Sequence, residues 1–113
     1  MTQPQRKYGN RKVQIDGYTF DSAAEARRYG ELRLLEQAGE IEDIRVHWPY
    51  EMVVEGVTGP MHICTYEADF VYMPKHHREW VGEDVKGKAT DVYKLKKKLL
   101  RALWGLEITE IEA

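Results

Sequence analysis

The spacing of apolar and polar residues changes several times along the chain, and each change marks an element. From Val13 to Phe20 the two kinds alternate around Asp16-Gly17, the pattern of a short β-hairpin closed by a tight turn. The period then lengthens. Asp21 and Ser22 offer N-cap side chains, and a helix is expected from about Ala23 to Ala38, closed by Gly39. Its apolar positions Tyr29, Leu32, Leu35 and Ala38 recur in three-residue steps, which predicts one core-facing stripe.

The next stretch is rich in β-branched and aromatic residues. Ile44–Val54 and His62–Tyr72 are expected to pair as an antiparallel hairpin, with Gly56–Pro60 as the connection. Met73–Arg78 reads as a turn, and Glu79–Lys86 as a third strand ending at Gly87. A second helix is expected from about Thr90 to Trp104, with Val92, Leu95, Leu99 and Leu103 facing inward. Gly105 stops it, and Leu106, Ile108 and Ile111 predict a short last strand. The order is hairpin, helix, three strands, helix, strand: an α/β chain with a sheet backed by helices.

At 113 residues there is room for one core. Residues 1–12 read as a flexible basic arm and residues 13–113 as a single domain. No apolar run approaches the ~18 residues of a membrane span, and the first residues lack the apolar region of a signal peptide. The lone Cys64 fits a reducing cytoplasm.

The net charge of -2 speaks against nucleic acid only until it is resolved along the chain. Residues 1–12 carry +4, residues 13–85 carry -9, residues 86–101 carry +6 and the tail carries -3. Two basic blocks flank an acidic middle, so a polyanion and a cation can both find complementary surface.

The chemistry lies in charged residues at strand positions. Asp69 falls inside Tyr66–Tyr72, and Asp84 and Lys86 fall inside Trp80–Gly87. Residues two apart on a strand share a face, so Asp84 and Lys86 are expected to project together. Asp and Lys are disfavoured in strands and costly to bury unpaired. Each other, solvent or a metal ion would compensate them. Glu67, two residues before Asp69, is a further candidate for such a cluster. Glu25 has a competing role, because Ser22-Ala-Ala-Glu25 is a capping box.

A helix with Glu25, a strand with Asp69, a strand with Asp84-Val85-Lys86 and a basic helix resemble, in this order, the PD-(D/E)xK nuclease superfamily. The chain is also similar to a family of short phage-encoded, endonuclease-like proteins. It shares much of Arg6-Lys7-Tyr8-Gly9-Asn10, Phe20-Asp21-Ser22, Glu25-Ala26-Arg27-Arg28-Tyr29, Ala68-Asp69-Phe70, Glu83-Asp84-Val85-Lys86-Gly87 and Lys94-Leu95-Lys96-Lys97-Lys98-Leu99 with that family. Ala68 stands where the superfamily name has proline, and the second acid is Asp84 rather than Glu. The resemblance implies a restriction-endonuclease-like core: a helix, a three-stranded antiparallel meander, a helix and a strand, here preceded by the short hairpin and basic arm.

It also implies roles. Asp69 and Asp84 would be the main ligands of Mg²⁺ or Mn²⁺, with the Val85 carbonyl and Glu25 completing the set. Lys86 would orient the attacking water or stabilise developing charge. Lys88, Lys94, Lys97, Lys98 and Arg101 would hold phosphates, joined by Arg6, Lys7, Tyr8, Asn10 and Lys12 of the arm. Arg27 and Arg28 would contact DNA or pair with Glu31.

The expected function is therefore a metal-dependent DNA endonuclease, on duplex or branched DNA of phage replication or recombination, working as a homodimer in the host cytoplasm. The alternatives are a non-catalytic DNA-binding protein and a protein-interaction module. His47, His62, Cys64, His76 and His77 lack zinc-ligand spacing, and the histidines read as surface residues. Trp48, Trp80 and Trp104 read as core or partner-surface residues. No nucleotide-binding or serine-hydrolase motif is present.

Overall fold

A computed structural model describes residues 11–85 and 90–112. Strands β1 (Val13–Ile15) and β2 (Tyr18–Phe20) form the short hairpin. Asp16 and Gly17 at its turn have φ of 53° and 83°, the left-handed pair that a two-residue hairpin requires. Helix α1 (Ala23–Gln37) follows, its N-cap Ser22 accepting from the Glu25 backbone N–H at 3.1 Å. Strands β3 (Ile41–Gly56), β4 (Gly59–Pro74) and β5 (Val81–Val85) form an antiparallel meander. Helix α2 (Asp91–Trp104) is capped by Thr90 and closed by Gly105 at φ 68°. It crosses over to β6 (Ile108–Ile111), which joins β5 in parallel. The sheet order is β3-β4-β5-β6, a mixed four-stranded sheet with two helices and the separate hairpin. Among the described residues no helix is long and apolar enough to cross a membrane.

The elements come in the expected order, with three corrections. The long hairpin is tighter and longer than expected, because β3 and β4 stay paired from Ile41↔Pro74 to Gly56↔Gly59. On α1, Tyr29 and Leu32 are buried, but Leu35 and Ala38 are exposed, and the buried stripe runs back through Ala26 to Glu25. Apolar periodicity alone misses a stripe whose N-terminal end is a carboxylate. On α2, Val92, Leu95 and Leu103 face outward at 64%, 59% and 40% exposure, while Leu100 is buried and Tyr93 packs on core two, described below. Four contacts hold the helix in this roll. The Tyr93 ring lies 6.3 Å from that of Tyr66, Lys96 Nζ donates to the Thr65 carbonyl at 3.0 Å, Lys97 Nζ pairs with Glu110 at 3.4 Å, and Trp104 Nε1 donates to the Glu51 carbonyl at 3.0 Å.

Two hydrophobic clusters cover the two sheet faces. Core one, under α1, joins Phe20, Ala26, Tyr29, Leu32, Ile41, Phe70 and Tyr72. Core two, under α2, joins Tyr50, Met52, Tyr66, Ala68, Val71, Leu100 and Leu106. Simple alternation would put Tyr66, Ala68, Phe70 and Tyr72 on one face. They divide instead, the first two to core two and the last two to core one. The facing strand does the same, with Ile44 and Val46 against core one and Tyr50 and Met52 in core two. Both strands thus exchange faces at one level, between Val46↔Phe70 and Trp48↔Ala68. His47 and Asp69 are the residues at that level, and His47 has a φ of 52°.

Candidate functional site

The carboxylates of interest gather where the strands exchange faces. Asp69 leaves the regular ladder there. Its backbone N–H donates to Asp84 Oδ1 at 3.2 Å, and its own Oδ2 accepts from the Val85 N–H at 2.8 Å. Each aspartate therefore replaces a strand-to-strand bond with a side-chain bond, and the two are locked together across β4 and β5. The second oxygen of Asp84, Oδ2, accepts from the Tyr66 hydroxyl. Glu25 approaches from the first turn of α1. It is buried, and its Oε1 lies 2.7 Å from Nε2 of His47. Among the described residues no bond returns from the Ser22 N–H to the Glu25 carboxylate, so only half of the capping box forms.

The electrostatics follow from burial. Asp69 is pushed up to about 7, first by burial and then by the charges of Glu25 and Asp84, against the opposing Val85 N–H and His47. Asp84 is also raised by burial, opposed by the Tyr66 hydroxyl and the Asp69 N–H and, more weakly, by Tyr93 and Lys97. Asp69 thus feels the like charges of both Glu25 and Asp84.

Glu83, next to Asp84, belongs to the other face. It is 1% exposed and takes a two-pronged bond from Arg28, Nε to Oε1 at 2.8 Å and Nη2 to Oε2 at 2.7 Å, plus the Tyr72 hydroxyl at 2.5 Å. Arg28 also meets Glu31 at 2.9 Å. The Glu31 pair is the one expected from the helix, whereas the Glu83 pair spans 55 residues and has no sequence signal.

The basic residues of α2 form a patch of their own, whose lining does not include Glu25, Asp69 or Asp84. Lys94, Lys97, Lys98 and Arg101 line an open cleft of about 430 Å³ with Glu107 and Ile108. Lys97 Nζ lies 5.3 Å from the Tyr93 ring centroid, and its charge is felt at Asp84. Two acids of the last segment draw on these cations, Glu110 on Lys97 and Glu107 on Arg101, each at 3.4 Å. Lys12 is exposed near the start of the described chain. Arg6, Lys7, Tyr8, Asn10, Lys86 and Lys88 lie outside the described residues. Glu67 is exposed, because the face exchange breaks the alternation that would have put it beside Asp69.

His47 and Tyr66 are the site residues that sequence reasoning missed. His47 reads as a surface histidine until the register places it opposite Asp69. Tyr66 reads as a core aromatic, and its ring does pack in core two while its hydroxyl reaches Asp84. Trp80 and Trp48 enclose the Arg45 guanidinium, at 4.4 and 4.6 Å from their ring centroids, a cation–π stack rather than a pure core contact.

The donor set is chemically suited to a hard divalent cation: carboxylate oxygens of the buried Glu25 and Asp84 and the half-buried Asp69, with the Val85 main chain alongside. Their present orientation is not a ligating one. Among the described residues no three or more His, Cys, Asp or Glu side chains are disposed to hold a metal ion. The oxygens of Asp84, one of Asp69 and one of Glu25 are turned instead to protein donors.

A family model described as "Protein of unknown function (DUF1064)" matches residues 5–109, and the chain belongs to that family. Neither the curated proteins nor the solved structures returned a match.

Proposed function

We propose that this chain is a metal-dependent endonuclease that hydrolyses phosphodiester bonds in DNA. The observation that carries the reading is the Asp69–Asp84 lock, a half-buried and a buried carboxylate from neighbouring strands, with Glu25 near enough to help push Asp69 up to about 7. Crowding like charges away from water is unfavourable by itself, and a divalent cation relieves it. Mg²⁺ or Mn²⁺ bound there supplies an acidified water and neutralises charge on the scissile phosphate.

The chain's own residues divide the remaining work. Asp69, Asp84 and Glu25, turned from their present protein donors, would hold the cation, with the Val85 carbonyl as a further oxygen. Lys86, two residues beyond Asp84, orients the attacking water and stabilises developing negative charge. Lys94, Lys97, Lys98 and Arg101 hold flanking phosphates from the cleft they line. Lys88 and the arm residues Arg6, Lys7, Tyr8 and Lys12 extend that contact. One site per chain makes a homodimer the arrangement that cuts both strands. The phage resemblance favours branched or junction DNA as the substrate, met in the host cytoplasm.

A second reading, a DNA-binding protein without catalysis, is favoured by one observation. Both oxygens of Asp84 are already satisfied by protein donors. One assay decides between them. Labelled duplex, single-stranded and four-way-junction DNA are incubated with the protein in Mg²⁺, in Mn²⁺ and in EDTA. The nuclease gives metal-dependent nicking that disappears in Asp84→Asn and Lys86→Ala. Salt-sensitive binding with no cleavage in either metal selects the second reading, and neither activity leaves a protein-interaction module.

A further inference from the structure

His47 is held in a conformation that pairing alone does not require. β3 and β4 keep one register on both sides of it, with Val46↔Phe70 before and Trp48↔Ala68 after. An ordinary extended residue would continue such a ladder. His47 instead has a φ of 52°, in the left-handed region that a residue with a side chain adopts at a cost. The backbone there would be best served by glycine.

The left-handed backbone accompanies the exchange of faces, which glycine would serve as well; what the histidine side chain adds is the aim of its imidazole. Nε2 reaches Oε1 of Glu25 at 2.7 Å, with the ring centroid 5.8 Å from that of Phe20 in core one. Glu25 is drawn away from its local partner. Its backbone N–H is still bonded to Ser22 Oγ, while its carboxylate no longer closes the capping box. The group facing His47 across the strand pair is Asp69, whose ionisation feels both Glu25 and His47.

We infer that His47 is a positioning residue, kept in a strained backbone conformation because it holds the Glu25 carboxylate beside Asp69 and off the helix cap. The inference rests on the proposed function only in taking Glu25 as part of the active site. Strain persists at a position like this when something else depends on the geometry.

The test uses His47→Gly, which suits the left-handed backbone, and His47→Asn, which tolerates it and is too short to reach Glu25. Backbone amide exchange followed by NMR is the first readout. With His47 gone, the Glu25 carboxylate returns to the Ser22 N–H, and exchange at Ser22 slows by about tenfold or more in both variants. The slowing disappears when Glu25→Ala is added. Cleavage is the second readout. The turnover number falls roughly 10- to 100-fold, the range for removing a group that orients a metal ligand, with KM for DNA unchanged. His47→Gln, whose side-chain amide can still donate to Glu25, recovers part of the loss. His47→Gly combined with Glu25→Ala is no slower than Glu25→Ala alone.

Unchanged Ser22 exchange overturns the inference, as do additive effects of the two substitutions. Loss of folding in both the Gly and Asn variants also overturns it, since His47 would then be structural. If the wild-type protein cuts no DNA, the proposed function fails and the Ser22 measurement still decides the role of His47.

Discussion

Glu83 and Asp84 are neighbours on β5 that point to opposite faces of the sheet, and the two faces treat a buried carboxylate differently. Glu83 meets a full opposite charge, with both oxygens bonded to Arg28 and one also to Tyr72. Asp84 meets a hydroxyl and a backbone amide, and its nearby charges include the carboxylate of Asp69. Neutral donors orient an acid without cancelling its charge. The first arrangement ties a helix to a sheet, and the second leaves negative charge for something else to neutralise. Position in the strand decides which acid has which fate, since the side chains alternate.

Removing the cation from the first face should have the largest effect on stability. Arg28→Met strands Glu83 in the interior and is expected to cost about 3–5 kcal/mol in urea unfolding, whereas the Arg28→Met/Glu83→Leu pair recovers most of it. Failure of the single change to destabilise would mean that the two faces do not differ as described.

The second face should respond in the opposite direction. Asp69 is raised from its ordinary value of 3.8 to about 7 in the folded chain. Between those values the folded chain holds a proton that the unfolded chain has lost, so stability falls as pH rises from about 4 to about 7. Asp69→Asn keeps an acceptor for the Val85 N–H and removes this slope. At pH 8 in EDTA it should be more stable than wild type by about 2 kcal/mol, a figure reduced for partial exposure, with no gain at pH 4. Urea midpoints across that range measure both. Divalent cation should oppose the wild-type decline, because it binds the ionised form.

The smallest effect belongs to Tyr66→Phe, which removes one neutral donor from Asp84 and should cost about 1–2 kcal/mol. Its use is as a control of scale. A cost as large as that of Arg28→Met would show that the hydroxyl holds Asp84 as firmly as a charge holds Glu83.

Much of the fold was legible because its signals are local. Ser22, Thr90, Gly39 and Gly105 mark the helix ends, and Asp16-Gly17 marks the first turn. Asp69 and Asp84 were legible as acids in strands that need compensation. The roll of α2 was only half legible: Leu99 faces core two as expected, but Val92, Leu95 and Leu103 continue its apolar stripe on the side that stays exposed. Which side packs depends on Tyr66, Thr65, Glu51 and Glu110, all distant in sequence. Glu25 was ambiguous for a related reason. Its helix-cap partner Ser22 is three residues away, whereas His47 is 22 residues away and comes into reach only through the β3–β4 register and a left-handed backbone.

The face exchange in the long hairpin has a mechanical consequence. Core one and core two are gripped by the same two strands, and the strands pass from one to the other at His47 and Asp69. The hairpin is therefore anchored at two places, with the acid group at the level between the anchors. Asp69 and Asp84 are tied together across β4 and β5. Glu25 is carried by the helix on core one and tied to His47 at the exchange, so the acid group draws its members from both of the bodies that the hairpin joins.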